Sequence, residues 1–160
     1  MEGDHIRKPL LGEQVMNPNL SRDGKYMAYL SPESGNVEIY VRPFPNVDKG
    51  KWQVSNSGGE SPLWSPDGRE LFYISRDSVM AVSVETEPIF KYGKPRVLFR
   101  GAYIAGYGES PPWDISPDGK RFLMIKPPAP AGAAPTAASP RKINIVLNWF
   151  EELKQWVPVK

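Results

Sequence analysis

The sequence predicts an all-β protein of about three four-stranded antiparallel sheets, and three observations carry this. A turn motif recurs three times along 160 residues. Each copy is followed by a continuous apolar run of strand length. Proline accounts for 18 residues, and proline removes a backbone donor and breaks helix interiors. The one exception expected is a short helix near residues 149–155.

The repeat is the firmest of these. Its copies are centred on Ser21-Arg22-Asp23-Gly24, Ser65-Pro66-Asp67-Gly68 and Ser116-Pro117-Asp118-Gly119. The aspartates stand 44 and 51 residues apart, near the roughly 40–50 residues of a four-stranded propeller blade. The sheets therefore read as blades of a β-propeller. The ring is incomplete, since rings need about four to eight blades. The motif has a mechanical reading. Pro66 and Pro117 preset φ at the second position of a type I turn. Arg22 replaces proline in the first copy, which that turn allows. Asp23, Asp67 and Asp118 can bond the local backbone. Gly24, Gly68 and Gly119 take the left-handed conformation that closes a hairpin with a bulge.

The strands follow in order. Tyr26-Met27-Ala28-Tyr29-Leu30, Leu71-Phe72-Tyr73-Ile74 and Phe122-Leu123-Met124-Ile125 are continuous apolar runs, which predict burial on both faces. Third strands are expected at residues 37–41, 79–84 and 143–147, and outer strands at 51–54 and 95–99. Residues 6–11 read as an outer strand with no blade in front of it, and the third copy lacks an obvious outer strand of its own. The resulting division is 1–16, an outer strand of a preceding or closing blade; 17–60, blade 1; 61–110, blade 2; 111–154, blade 3; and 155–160, a tail. Within blade 3, the Pro/Ala-rich stretch 127–140 is expected to be a loop with little packing.

Composition narrows the function classes. The apolar share is 40% and the charged share 24%, with a net charge of +2, ordinary for a globular domain. No basic stripe stands out, so no nucleic-acid partner is expected. There is no cysteine and a single histidine, His5. This excludes disulfides and the usual zinc ligand sets. The N-terminus is charged and does not read as a signal peptide. No run is long and apolar enough to span a bilayer as a helix. The compartment stays open.

The candidate sites favour structure over chemistry. Asp23, Asp67 and Asp118 sit on equivalent turns of separate blades, around a rim rather than in one pocket, so turn chemistry is expected instead of acid–base work. Trp64 and Trp113 read as equivalent positions on the innermost strands. They are the candidates for a ligand-facing aromatic pair, with inter-blade packing preferred. His5 stands in a terminal segment and no Gly-x-Ser-x-Gly elbow accompanies it, so no serine hydrolase is expected. Gly106-Tyr107-Gly108 lacks a third glycine and is not a phosphate loop. No cofactor is expected.

The repeated hairpin resembles the TolB-type propeller repeat. Glu38-Ile39-Tyr40-Val41-Arg42-Pro43-Phe44-Pro45, Lys51-Trp52-Gln53-Val54-Ser55, Gly68-Arg69-Glu70-Leu71-Phe72-Tyr73 and the tail Val146-Leu147-Asn148-Trp149-Phe150-Glu151-Glu152-Leu153 resemble the C-terminal propellers of bacterial eukaryotic-like serine/threonine kinases. The resemblance implies a fold and an accessory role. It implies no kinase activity, because no His-Arg-Asp or Asp-Phe-Gly motif is present. The expected function is a non-catalytic interaction or sensor module of a larger signalling protein, binding a protein or peptide. The alternatives are the propeller of a prolyl-oligopeptidase-type peptidase and a TolB-like envelope scaffold. An open ring also predicts apolar stacking faces on the first and last blades, and hence self-association or a need for missing blades.

Overall fold

A computed structural model describes residues 9–12, 14–104 and 112–127, together with the backbone of one further strand, Ile143–Val146. The described part is all-β apart from a single 3-10 turn at Val47–Lys49. The expected helix near residues 149–155 and the loop at 127–140, apart from Pro127, lie outside the described residues.

The first sheet holds β1 (Met16–Leu20), β2 (Tyr26–Ser31), β3 (Glu38–Pro43) and β4 (Trp52–Gln53), antiparallel and in chain order. The second holds β5 (Glu60–Trp64), β6 (Glu70–Ser75) and β7 (Ser78–Glu85), with β8 (Lys91–Tyr92) and β9 (Arg96–Arg100) both paired to β7. The third holds β10 (Trp113–Ile115), β11 (Phe122–Ile125) and β12 (Ile143–Val146).

The sheets stack face to face, and the two-residue period of a strand decides which side chain meets which neighbour. Ala28, Leu30, Ile39 and Val41 face the second sheet, where they meet Trp64, Leu71, Tyr73, Val82 and Val84. On the other side of the second sheet, Phe72, Ile74, Val79 and Ala81 meet Trp113, Phe122 and Met124 of the third. Both faces of β2 and β6 are thus buried, which is why their sequences do not alternate.

Aromatics bind the stack at its edges. Phe90 lies 5.1 Å from Tyr26 and 4.8 Å from Trp52, measured between ring centroids. Phe122 meets Phe72 edge-on at 5.1 Å.

The two innermost strands share a feature the sequence reading did not contain. Register slips between Met16 and Asn19 in β1, and between Glu60 and Leu63 in β5. Asn17 and Ser61 take positive φ at these bulges, +49° and +51°, and a proline follows each.

Several expectations change. The sequence predicts an outer strand over residues 6–11. Residues 9–11 form no strand, and 1–8 lie outside the description. Pro9 cannot donate to a ladder. Met16, assigned to the leading segment, opens β1 instead. The outer strand of the second sheet begins earlier than expected and is broken in two. Between Val84↔Tyr92 and Ala81↔Arg96, β7 advances three residues and its partner four. The extra residue is a bulge at Gly93-Lys94-Pro95. Gly93 still donates its N–H to Ser83 O at 2.9 Å, whereas Pro95 has no N–H to give.

The first sheet does not present the bare apolar face that was expected. Tyr29 is fully buried, and Met27 and Tyr40 nearly so. Leu11, Val15, Phe44 and Val47 cover them. Arg42 runs beneath this cover, its Nε donating to Tyr29 Oη at 2.8 Å and its Nη1 to Val47 O at 3.1 Å. The third sheet behaves as expected on one point and not on another. Phe122 and Met124 are buried, but Leu123 and Ile125 are exposed. Among the described residues no fourth sheet stacks on it, so its apolar run is buried on one face only.

Candidate functional site

The three turn motifs lie at one end of the stack, where each innermost strand passes to the next. They are built alike, atom for atom. The glycine N–H donates to the serine carbonyl, at 2.8 Å for Gly24 to Ser21, 3.0 Å for Gly68 to Ser65 and 2.8 Å for Gly119 to Ser116. The glycines take φ of +70°, +71° and +71°, the left-handed value the hairpin requires. Each aspartate Oδ1 accepts the N–H two residues on: Lys25, Arg69 and Lys120, at 3.1, 3.1 and 3.0 Å. Each serine hydroxyl donates to the same Oδ1. It also accepts the N–H five residues on: Tyr26, Glu70 and Arg121, at 3.0, 2.9 and 3.1 Å. The serine therefore ties the aspartate to the outgoing strand. Sequence reasoning missed this role, although serine at the same position in all three copies was the signal.

The turns are neighbours in space. A shallow groove of about 300 Å³ between the first two is lined by Ser21, Arg22, Asp23, Pro66, Asp67 and Thr86, among others. A Cβ built on Gly119 would stand 3.7 Å from Pro66 Cδ, so the third turn abuts the second. Tyr26 Oη donates to Thr86 O at 3.0 Å, and Lys25 pairs with Glu87. These contacts bring the loop after β7 against the first turn.

The serine hydroxyl is the main cause holding all three aspartate carboxyls below the usual carboxylate value. A lowered folded-state value contributes stability above the unfolded value, and this is lost as pH falls through the folded one. The melting temperature is expected to hold down to about pH 4 and then to fall. The triple variant Asp23→Asn, Asp67→Asn, Asp118→Asn should lose less between pH 5 and pH 2 than the parent. Parallel thermal melts across that range check it, and identical acid limbs would show that the turn carboxylates do not titrate with folding.

Trp64 and Trp113 are not at equivalent positions. Trp64 pairs with Leu71 and directly precedes its turn serine, whereas Trp113 pairs with Met124 and stands three residues before its own. The position equivalent to Trp64 is Ile115. The two tryptophans nevertheless do one job. Both are buried, at 5% and 3% exposure. Trp64 Nε1 donates to Asn19 O at 3.1 Å, and Trp113 Nε1 to Ser61 O at 2.9 Å. Each indole crosses to the innermost strand of the preceding sheet.

At the opposite end, a cleft of about 460 Å³ opens between the first two sheets, lined in part by Asn36, Gly58, Glu60 and Arg76. Beside it lies Glu38, a buried carboxylate. Its Oε1 accepts the Gly58 N–H at 3.0 Å, and its Oε2 accepts the Ser55 hydroxyl. Ser55 Oγ in turn accepts the Ile39 N–H at 2.8 Å. Glu38 thus fixes the connection from the first sheet to the second, and this role was not read from the sequence. Burial pushes the Tyr73 phenol up to about 12, with the Glu38 charge adding to it, so it stays protonated at ordinary pH.

Among the described residues no group of three or more His, Cys, Asp or Glu side chains is placed to hold a metal ion. No described helix is long and apolar enough to cross a membrane.

The chain matches no protein-family model. Over 67 residues it is 36% identical to the Tol-Pal system protein TolB of Alcanivorax borkumensis, a stretch that is 41% of this chain and 15% of that protein. The crystal structure of TolB from Acinetobacter baumannii superposes with a TM-score of 0.52 at 20% identity, covering 83% of this chain and 30% of that one. An oligogalacturonate lyase from Vibrio parahaemolyticus superposes equally well, TM-score 0.52 at 19% identity, covering 72% of this chain and 31% of the other. The chain therefore spans less than a third of the length of these propellers. At such identity the solved structures show the fold alone, since one fold hosts unrelated functions. The three stacked antiparallel sheets, the recurring turn and these likenesses together make the chain an all-β protein of the TolB-like β-propeller fold.

Proposed function

We propose that this chain is a non-catalytic interaction module that binds a protein or peptide, and that it serves a larger signalling protein similar to the bacterial receptor-type serine/threonine kinases. The observation that carries the first part is the spending of the repeated carboxylates. Asp23, Asp67 and Asp118 each commit Oδ1 to a serine hydroxyl and a backbone N–H of their own turn. The rim is built as a scaffold, and propellers bind through loops carried on such rigid frames. The kinase link rests on the sequence resemblance of residues 38–45, 51–55, 68–73 and 146–153. A second reading, a TolB-like envelope scaffold, is favoured by the 36% match to a Tol-Pal protein.

Two measurements test these readings. Incubating the purified chain with oligogalacturonate should yield no cleaved product on chromatography. Cleavage above the blank would overturn the non-catalytic reading. The reading frame around the coding sequence should contain a kinase domain. A frame encoding a secretion signal and no kinase would favour the scaffold instead.

A further inference from the structure

The hairpin from β6 to β7 turns in two residues, Arg76 and Asp77, between the paired Ser75 and Ser78. Arg76 takes φ +56° there. Two-residue hairpin loops favour glycine, asparagine or aspartate at such positions, because a bulky side chain is strained in the left-handed region. No described contact calls for arginine. The side chain is exposed, and among the described residues no carboxylate pairs with it. Its neighbour Asp77 is committed elsewhere, to the Ser78 hydroxyl at 2.9 Å and to Arg100 at 3.5 Å. Strain of this kind persists where the surrounding structure or a function requires it.

Arg76 lines the cleft of about 460 Å³ between the first two sheets, a volume within the roughly 300–1,000 Å³ of ligand sites. The walls are preformed. Ser75 Oγ donates to Ser57 O at 3.3 Å, which ties the hairpin to the connection between the sheets. In that connection Gly58 is held by Glu38, and Gly59 donates to Val37 O at 3.2 Å. Val37 and Ile74 give the cleft apolar surface, and Asn36 and Ser57 give it polar surface. Among the described lining residues two are charged, Arg76 and Glu60. Glu60 has an interaction of its own. Glu38, beside the cleft, spends both carboxylate oxygens on Ser55 and Gly58. The charge left for a ligand is the Arg76 guanidinium.

We propose that this cleft takes a peptide and that Arg76 receives one of its carboxylates, from an acidic side chain or from the chain terminus. A guanidinium presents paired N–H donors that match both oxygens of a carboxylate. The residues flanking that carboxylate then cover Val37 and Ile74. The assignment rests on the reading of the chain as a peptide-binding module, and it gives that reading a place and a chemistry.

The test is an NMR titration of the nitrogen-15-labelled full chain with three peptides: acetyl-Gly-Glu-Gly-amide, acetyl-Gly-Gly-Gly with a free carboxyl end, and the neutral acetyl-Gly-Gln-Gly-amide. At least one acidic peptide should shift the Arg76 Nε–H and the Gly58, Gly59 and Ser75 amides saturably. Its affinity should exceed that of the glutamine peptide by about tenfold or more, as a charged hydrogen-bonded pair provides. Which acidic peptide binds identifies the source of the carboxylate. Arg76→Asn should lose the preference, while its melting temperature equals or exceeds the parent's, since asparagine tolerates this φ. The readout is local to the cleft, so its failure leaves the non-catalytic reading, which the cleavage assay tests, where it stands. Equal binding of the glutamine peptide, stronger binding of inorganic phosphate, no saturable shift in the cleft, or an Arg76→Asn variant that keeps the preference would each overturn the proposal. An Arg76→Asn variant melting several degrees below the parent would overturn it too, because the arginine would then serve the fold.

Discussion

Replacing Trp113 with alanine is expected to cost about 3–5 kcal/mol, the range for removing a large buried aromatic. Trp113 is stacked on Phe122, with ring centroids 5.6 Å apart, and packs with Leu63, Phe72 and Met124 between the second and third sheets. Its indole N–H also reaches back to Ser61 O. The alanine variant would leave a cavity between two sheets that touch largely through this cluster, and rigid β-sheets cannot close it. Trp113→Phe separates the two contributions. It keeps most of the packing and loses the hydrogen bond, at about 1 kcal/mol. Urea unfolding of the two variants and the parent decides the matter. If Trp113→Ala fell within about 1 kcal/mol of the parent, the third sheet would not be docked as described.

Gly68→Val should cost about 1–3 kcal/mol for a different reason. A Cβ at Gly68 would meet nothing within 4 Å, so crowding is not the issue. The backbone stands at φ +71°, where a β-branched residue is strained. Gly68→Asn, which tolerates the left-handed region, should therefore recover most of the loss. Gly59 offers the opposite case. It has no such φ, but a Cβ there would stand 2.6 Å from Ile39 Cγ1 and 3.0 Å from Ser55 Oγ. Thermal melts of Gly68→Val and Gly68→Asn side by side test the turn, and equal melting temperatures would contradict the assigned conformation.

What the sequence made legible is what repeats locally. The three turns could be read because their chemistry lies within six consecutive residues. The central strands could be read because stacking on both sides leaves an unbroken apolar run. The broken outer strand could not, since the bulge between Tyr92 and Arg96 depends on the length of β7 across from it. The tryptophans misled because both precede a turn serine, although counting back from Ser65 and Ser116 already sets them two residues apart, as the pairing register does. Glu38 and Arg42 look like ordinary surface charges in sequence. Their burial follows from contacts with Ser55, Gly58, Tyr29 and Val47, five to twenty residues away in the chain, which no local pattern announces.

The interrupted edge of the second sheet has a bearing on how such chains behave when crowded. An outer strand offers unpaired amides to any passing strand, and long flat edges seed aggregates. Here the edge is kinked at Gly93-Lys94-Pro95 and studded with exposed Lys91, Lys94, Arg96 and Arg100. A second strand would meet a proline, a change of register and four long cationic side chains, two of them, Arg96 and Arg100, paired with Glu70 and Asp77. The kink and the charges therefore disfavour lateral strand addition at this edge.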